Sequence, residues 1–259
     1  MPVDAFALLT EAELTIEGRL LSASNATLRA RLGDDGPRCV VKPVAGERPL
    51  WDFPDGTLTG RELAAHALSE LLGWGLVPPT VWRDDPELGP AMCQWWIDEV
   101  PHLRPVAVVA PDAVPEGWAA VLEAEDGRGA PVVLVHSRSP QLERLAVFDA
   151  VANNADRKGG HVLVDSEGAV WGIDHGVCFS DEPKLRTVLW GWSGEPIGEE
   201  ILTDLQRLRD DLDEGVDAID RWLDGHEREA LRARVGRLLR RGTHPEPSTR
   251  WPAIPWPVF

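Results

Sequence analysis

Two aspartates, Asp156 and Asp174, occupy positions in the sequence where carboxylates can do chemistry. Asp156 lies in the polar, Gly-rich stretch NNADRKGGH directly after an apolar helical pattern, and Asp174 ends the apolar run AVWGID. Between them, the turn residues SEG at 166–168 separate two short apolar runs and predict a hairpin. Because a hairpin returns its second strand beside its first, we expect Asp174 to lie near the loop of Asp156. Two neighbouring carboxylates can accept a proton from a nucleophile and bind Mg²⁺, as phosphoryl transfer requires.

The three lysines are a second chemical signal. Lys42, Lys158 and Lys184 are the only lysines, so 23 of the 26 basic residues are arginines. A compact ammonium group and a planar guanidinium are not interchangeable at a phosphate. Lysine in VVKP and in DRKGGH therefore indicates a specific role, although compositional bias with chance placement explains so few residues equally well.

The elements that must position these residues begin with a strand-rich part. A helical pattern starts at Glu62 and stops at Gly73 and Gly75. Residues 100–140 are rich in Pro and Gly and carry no clear pattern. The runs that predict strands are residues 14–21, 27–32, 38–44 and 91–97, and a further strand is predicted to start at residues 81 and 82.

The second part of the chain is mostly helical by pattern. Residues 142–152, 201–212 and 227–239 predict helices, and the tail THPEPSTRWPAIPWPVF predicts an extended segment. We therefore predict an α+β fold of two lobes, a β-rich N-lobe over residues 1–98 and a mostly helical C-lobe over residues 99–259 with a Pro/Trp-rich tail. We expect a ligand site in a cleft between the lobes, since such clefts are usual ligand sites.

The loops around the two aspartates resemble those of a known superfamily. DRKGGH followed by GIDHG is similar to the catalytic and metal-binding loops of phosphatidylinositol 3-/4-kinases, which run D-R-x-x-x-N and then D-x-G. HipA-like kinases and actinobacterial PI3/PI4-kinase-like proteins share this arrangement. The resemblance covers most of the chain to about residue 180. It implies a protein-kinase-like fold, ATP with Mg²⁺ or Mn²⁺ as cofactors, Asp156 as the catalytic aspartate and Asp174 as a metal ligand.

The resemblance extends to the N-terminal part of the chain. VVKP resembles the strand whose lysine holds the ATP phosphates, which implies that role for Lys42. RELAAHALSELL resembles the following helix and implies Glu62 as the ion-pair partner of Lys42. The turn SASNA resembles the phosphate-covering loop, and MCQWWID resembles the segment between lobes where adenine binds. The nucleotide-binding residues that these segments imply are Ser22, Ser24, Asn25, Gln94, Trp95 and Trp96, and Trp51 in LWDFPDG is a candidate lid.

One departure from the superfamily pattern concerns the metal. The family places an Asn five residues after the catalytic aspartate, where this chain has His161. An amide oxygen suits Mg²⁺, whereas a neutral imidazole suits softer ions such as Mn²⁺ or Zn²⁺. We therefore expect His161 to bind a second metal weakly or to favour Mn²⁺. The departure also keeps open a nucleotide-binding pseudokinase with a regulatory role.

Composition excludes several classes of protein. The net charge of −17 repels nucleic acid and anionic membrane surfaces, so we expect no nucleic-acid partner and no stable membrane association. No run approaches the roughly 20 apolar residues of a membrane span, and the N-terminus does not have the pattern of a secretory signal. Cys39, Cys93 and Cys178 lack the CxxC spacing of a metal site, and a reducing cytoplasm fits them.

These patterns predict a kinase that transfers phosphate to a hydroxyl of a protein or a small polar metabolite. The acidic surface argues against a phosphoinositide acceptor. A regulatory pseudokinase and an AMP transferase are the alternatives. Simpler structural roles also stay open, since Asp156 can cap a turn, Asp174 can cap a strand end and Lys42 can be a solvated strand residue.

Overall fold

The N-terminal part of the chain forms an antiparallel sheet of five strands in the order β1-β2-β3-β5-β4. The computed structural model describes residues 4–20, 26–48, 50, 53 and 58–259. The predicted strands in this part of the chain are confirmed. They are β1 (Leu14–Arg19), β2 (Leu28–Leu32), β3 (Arg38–Pro43), β4 (Thr80–Asp85) and β5 (Gly89–Trp95).

The two faces of this sheet have different neighbours. Side chains alternate between faces along a strand, and in β3 buried and half-buried residues alternate. One face packs against α1 (Ala5–Glu11), a short helix that the sequence analysis did not predict. Lys42, paired in register with Met92 of β5, therefore belongs to the other face. The buried cluster on the α1 face comprises Leu9, Ala30, Leu32, Cys39, Val41, Ala91 and Cys93.

Helix α2 (Leu58–Leu72) lies between β3 and β4 in the chain and is buried along most of its length. It begins four residues before the predicted start at Glu62. The Glu47 carboxylate accepts the N–H groups of Leu58 and Thr59 at 3.1 and 2.7 Å. A helix leaves its first N–H groups without intrahelical partners, so this distant carboxylate stabilises the earlier start.

The chain divides into two compact units. The first consists of Met1–Ile97, His175–Cys178 and Val216–Asp224, and the second of Asp98–Asp174, Phe179–Gly215 and Gly225–Phe259. The short helix α5 (Asp217–Asp220) contacts α2 within the first unit. The lobe boundary at residues 98 and 99 stays a prediction.

The second unit contains a small sheet in a region without a clear sequence pattern. Its strand order is β6-β8-β7, with β6 (Val106–Val109), β7 (Trp118–Glu125) and β8 (Pro131–Ser137). Strand β7 is largely exposed, so its sequence lacks the apolar alternation of a half-buried strand. The Pro and Gly residues around it belong to turns.

The second unit also contains helices and the predicted hairpin of β9 (Val162–Val164) and β10 (Val170–Gly172). The three helices that the sequence predicted in this part of the chain are confirmed. They are α3 (Pro140–Ala152), α4 (Glu199–Glu214) and α6 (Gly225–Arg241). Among the described residues, no helix has the length and apolarity needed to cross a lipid bilayer.

Candidate active site

Lys42 of β3 forms an ion pair with Glu62 of α2 inside the first unit. The Glu62 side chain is 1% exposed and that of Lys42 is 19% exposed. The other Glu62 oxygen, Oε2, accepts the backbone N–H of His175 at 2.9 Å. A buried carboxylate is costly unless charges and hydrogen bonds compensate it, and both compensations are present here. The predicted pairing of Lys42 with Glu62 is thus present in the structure.

The segment His175–Cys178 packs against α2. The His175 ring is buried, with Nδ1 3.9 Å from Glu62 Oε2. A Cβ at Gly176 would lie 3.4 Å from Leu58 Cβ, an ordinary van der Waals distance, so this segment packs directly against the start of α2. Arg61 donates through Nη1 to the Cys178 carbonyl at 3.1 Å. Arg61 therefore binds the end of this segment, whereas Glu62 binds its start.

In the second unit, the loop of Asp156 begins where α3 ends. Asn153 adopts the left-handed conformation, φ 53°, that terminates a helix. Asn154 donates through Nδ2 to Asp149 Oδ1 at 3.0 Å, and its Oδ1 accepts the N–H of Asp156 at 2.9 Å. Asn154 is thus the asparagine that orients Asp156, while Asn153 binds the Ser180 carbonyl at 2.9 Å.

Arg157 is the organising residue of this loop. Its side chain is fully buried and pairs with the equally buried Asp149, with Nε 3.0 Å from Oδ2. Nη1 also donates to the carbonyls of His161 and Ile173 at 3.1 and 2.8 Å. One guanidinium therefore holds both ends of the β9–β10 hairpin, and with them the backbone on either side of the two aspartates. This role was not predicted from the sequence, although Arg157 follows Asp156 in the D-R motif.

Asp174 has a backbone conformation that is unusual for a residue with a side chain. Its φ is 61°, in the left-handed region that favours glycine. Such strain persists only where the surroundings impose it, and it concentrates at functional sites. The preceding residue, Ile173, donates its N–H to the His161 carbonyl at 3.0 Å. The Asp174 side chain is 49% exposed.

His161 lies between the two aspartates. Nδ1 is 3.1 Å from the Asp156 carbonyl oxygen, which only accepts hydrogen bonds, so Nδ1 carries the proton. Nε2 lies 3.5 Å from Asp174 Oδ2. Burial lowers the pKa of His161 despite the opposing effect of the Asp174 carboxylate, which favours a neutral ring with a lone pair on Nε2. The predicted metal ligands, His161 and Asp174, are therefore brought together.

The donor set fits a divalent cation that also binds phosphate. A lone pair and a carboxylate oxygen face each other, an arrangement that a shared cation stabilises. Among the described residues, no group of three or more His, Cys, Asp and Glu side chains is placed to hold a metal. Mg²⁺ usually takes one or two protein ligands together with substrate phosphates, so a two-residue site is compatible with a nucleotide-bound metal.

The Asp156 carboxylate is partly exposed and has a cationic neighbour. Lys158 Nζ lies 3.1 Å from Asp156 Oδ2, and both side chains are partly accessible to solvent. The carboxylate can therefore meet a hydroxyl group from solution. Lys158 can partly neutralise the negative charge there.

The residues predicted around adenine do not share one environment. Gln94 is buried and donates its amide to Thr80 Oγ1 at 2.9 Å. Trp95 packs against the cluster on the α1 face, opposite the face of Lys42. Trp96 has the Arg29 guanidinium 5.8 Å from its ring centroid. The structure thus separates Trp95 from Lys42. Ser22, Ser24, Asn25 and Trp51 lie outside the described residues.

Comparison with known proteins shows the fold and the family. No family model matches the chain. The chain resembles the solved structure of a Golgi casein kinase, with a TM-score of 0.50 at 12% identity over 91% of this chain and 72% of that one. The Helicobacter pylori proinflammatory kinase CtkA gives a TM-score of 0.48 at 13% identity over 88% and 92% of the two chains.

The likeness to the casein kinase shows a kinase-like α+β fold with a β-rich N-terminal region and a helical C-terminal region. In sequence, the chain is 46% identical over 268 residues to protein Rv2133c of Mycobacterium tuberculosis, covering 99% of this chain and 96% of the relative. With that identity over nearly the whole length of both proteins, the chain belongs to the family of protein Rv2133c.

Proposed function

We propose that this protein is an ATP-dependent phosphotransferase of the PI3/PI4-kinase-like type that acts on a hydroxyl group. One observation carries the proposal: Glu62 binds both Lys42 and the backbone N–H of His175, the residue that follows Asp174 in the chain. A buried carboxylate with these two partners connects the proposed phosphate-binding lysine to the start of the segment His175–Cys178. The kinase-like fold supports the same assignment.

Lys42 would bind the ATP phosphates. Its ammonium group is oriented by Glu62, which is buried, while Lys42 itself keeps part of its surface accessible. A compact point charge suits the phosphate oxygens of a nucleotide. Fixing that charge before the nucleotide arrives reduces the reorganisation needed in the transition state.

His161 and Asp174 would hold the divalent metal. When bound, the metal supplies charge neutralisation at the phosphates. The Asp156 carbonyl fixes the His161 ring, and the Arg157 guanidinium fixes the carbonyls of His161 and Ile173. Because imidazole favours softer ions than an amide oxygen does, we expect Mn²⁺ to support more activity than Mg²⁺.

Asp156 would orient the acceptor hydroxyl and accept its proton. Asn154 holds the backbone of Asp156 in place, and the partly exposed carboxylate is accessible to an incoming group. Phosphoryl transfer depends mainly on positioning and on charge neutralisation, so a well-placed carboxylate is sufficient for this role. The acceptor would be a protein or a small polar metabolite, because a net charge of −17 disfavours docking on anionic lipids.

Label transfer from ATP tests this function. The full chain is incubated with cell lysate as the acceptor pool and with ATP labelled at either the α- or the γ-phosphate, in Mg²⁺ or in Mn²⁺. We expect label from the γ-phosphate only. Asp156→Asn should lower the transfer by about 10²-fold or more, the contribution typical of a general base. Asp112→Asn, at an exposed aspartate outside these loops, is the matched control and should retain activity.

The same assay separates the competing functions. Transfer of the α-label would identify an AMP transferase. Stabilisation by ATP and metal in a thermal melt without any transfer would identify a nucleotide-binding regulatory pseudokinase. If ATP with either metal leaves the melting temperature unchanged and no label moves, the nucleotide assignment is wrong.

A further inference from the structure

We propose that a second ligand site lies in the second unit, in a cavity of about 430 Å³ beside α6. This volume falls within the range of small-molecule pockets, roughly 300–1,000 Å³. The end of α3, the segment 181–190, helix α6 and residues 243–248 form its walls. We infer that it binds a small molecule with an anionic head group and an apolar or planar body. This site does not depend on phosphotransferase activity.

The anionic head group is inferred from three arginines of α6. Arg234, Arg237 and Arg241 line the cavity at spacings of three and four residues, which places them on one face of the helix. Like charges at this spacing destabilise a helix unless something compensates them. Arg237 and Arg241 are both exposed, and within the described part of the chain neither makes an ion pair.

Within the described part of the chain, these two arginines lack the acidic partners that two arginines of α4 have. Acidic residues outnumber basic ones by 43 to 26. On the neighbouring helix α4, Arg207 and Arg209 pair with Asp204 and Asp213 at 3.1 and 3.0 Å. Two carboxylates, Asp181 and Glu246, also line the cavity, so its three arginines leave a formal charge of +1 in a chain of −17. The cavity is therefore a locally cationic site on an acidic protein.

Preorganised walls support a binding role. Arg234 is nearly buried and donates through Nε to the Val151 carbonyl at 2.8 Å and through Nη1 to the Ser180 carbonyl at 2.9 Å. The Asn153 amide, also buried, donates to the same Ser180 carbonyl at 2.9 Å. Side chains locked by such bonds hold a site in one geometry, which reduces the entropy cost of binding.

The apolar body of the ligand is inferred from the apolar side chains that also line the cavity. These side chains are those of Trp190, Leu185, Pro183 and Pro245, together with Leu238 of α6. The Trp190 indole is fixed by a hydrogen bond from Nε1 to the Ala253 carbonyl at 2.8 Å. A fixed indole beside aliphatic side chains can pack against a flat or apolar group, while Arg237 and Arg241 bind the head group.

The dye 1-anilinonaphthalene-8-sulfonate is a suitable probe because it joins a planar body to an anionic sulfonate. We expect the full chain to enhance its fluorescence with saturable binding. The double variant Arg237→Gln/Arg241→Gln should bind the dye at least tenfold more weakly. Arg240→Gln changes an exposed arginine of α6 that does not line the cavity, and it should bind as the wild type does.

Two further measurements test whether the dye binds in this cavity and whether its negative charge contributes to binding. Ala233→Trp places a large side chain in the cavity wall and should abolish dye binding, with circular dichroism melts confirming that each variant is folded. The neutral analogue N-phenyl-1-naphthylamine should bind the wild type at least tenfold more weakly than the sulfonate does. Wild-type affinity in either the double variant or Ala233→Trp would overturn the proposal.

Discussion

At the scale of single residues, Arg157 shows how one buried side chain can shape a whole site. Its guanidinium pairs with Asp149 at the end of α3 and binds two backbone carbonyls, at His161 and Ile173. These carbonyls flank the hairpin that separates Asp156 from Asp174. The positions of both aspartates therefore depend on a residue whose side chain is fully buried.

Replacing Arg157 should destabilise the protein strongly. Arg157→Met leaves Asp149 as a buried charge without its guanidinium partner, and breaking a buried pair in this way costs about 3–5 kcal/mol of unfolding free energy. Urea unfolding followed by circular dichroism measures the loss. Arg209→Met removes an exposed i,i+4 partner of Asp213 and serves as the control, with a much smaller effect expected. Equal losses of unfolding free energy in the two variants would show that the buried pair stabilises the fold no more than the exposed pair does.

At the scale of elements, the C-terminal segment packs against the loop that carries Asp156. Gly159 donates its N–H to the Val258 carbonyl at 2.8 Å, and Thr187 donates its N–H to the Ala253 carbonyl at 3.0 Å. A Cβ at Gly159 would lie 2.4 Å from Cε1 of Phe259. The Pro/Trp-rich tail, which was predicted only as an extended segment, thus forms part of the surroundings of the loop.

A pair of adjacent glycines tests this packing. Gly159→Ala should displace the Phe259 ring and cost about 1 kcal/mol of unfolding free energy, because the ring loses its contact surface. Gly160→Ala is the matched control, since nothing lies within 4 Å of a Cβ at that position. In the Phe259→Ala background, Gly159→Ala should have little further effect. A full additional loss in that background, measured by thermal melting, would show that the clash is not with Phe259.

At the scale of the whole molecule, buried neutral histidines make stability depend on pH. His136 is fully buried, and burial lowers its pKa. Its Nδ1 donates to the Ser137 carbonyl at 2.7 Å, while Nε2 accepts the N–H of Gly191 at 2.9 Å. Protonating Nε2 would direct its new N–H at the N–H of Gly191, and neither group could accept the other's hydrogen bond. Burial lowers the pKa of His66 and of His244 in the same direction.

We therefore expect the unfolding free energy to fall on acidification. Below the ordinary histidine pKa of about 6.5, the unfolded chain binds protons that the folded protein excludes, so stability present above this pH is lost as the pH drops further. Urea unfolding at intervals between pH 7.5 and 5.5 measures the slope. His136→Gln should flatten it by up to about 1.4 kcal/mol per pH unit, whereas His102→Gln, at an exposed histidine, should keep the wild-type slope. A slope unaffected by His136→Gln would exclude His136 as a source.

Local patterns determined much of this protein. Alternating and helical periodicities predicted the five strands of the first sheet and helices α2, α3, α4 and α6, because such patterns reflect which face of an element is buried. The turn SEG between two apolar runs predicted the β9–β10 hairpin. The ion pair of Lys42 with Glu62 was predicted only from the resemblance of VVKP and RELAAH to kinase segments. No local sequence pattern relates residues 20 positions apart.

Tertiary structure decided what depends on contacts between distant residues. The start of α2 is set by Glu47, the loop geometry by Arg157, and the face on which Trp95 lies by the packing of α1 against the sheet. The exposed strand β7 and the seven-residue α1 carry too little periodicity to be recognised. A sequence pattern records which side of an element is apolar. It does not record which distant partner covers that side, because long-range packing, buried charge pairing and hydrogen bonding determine that choice together.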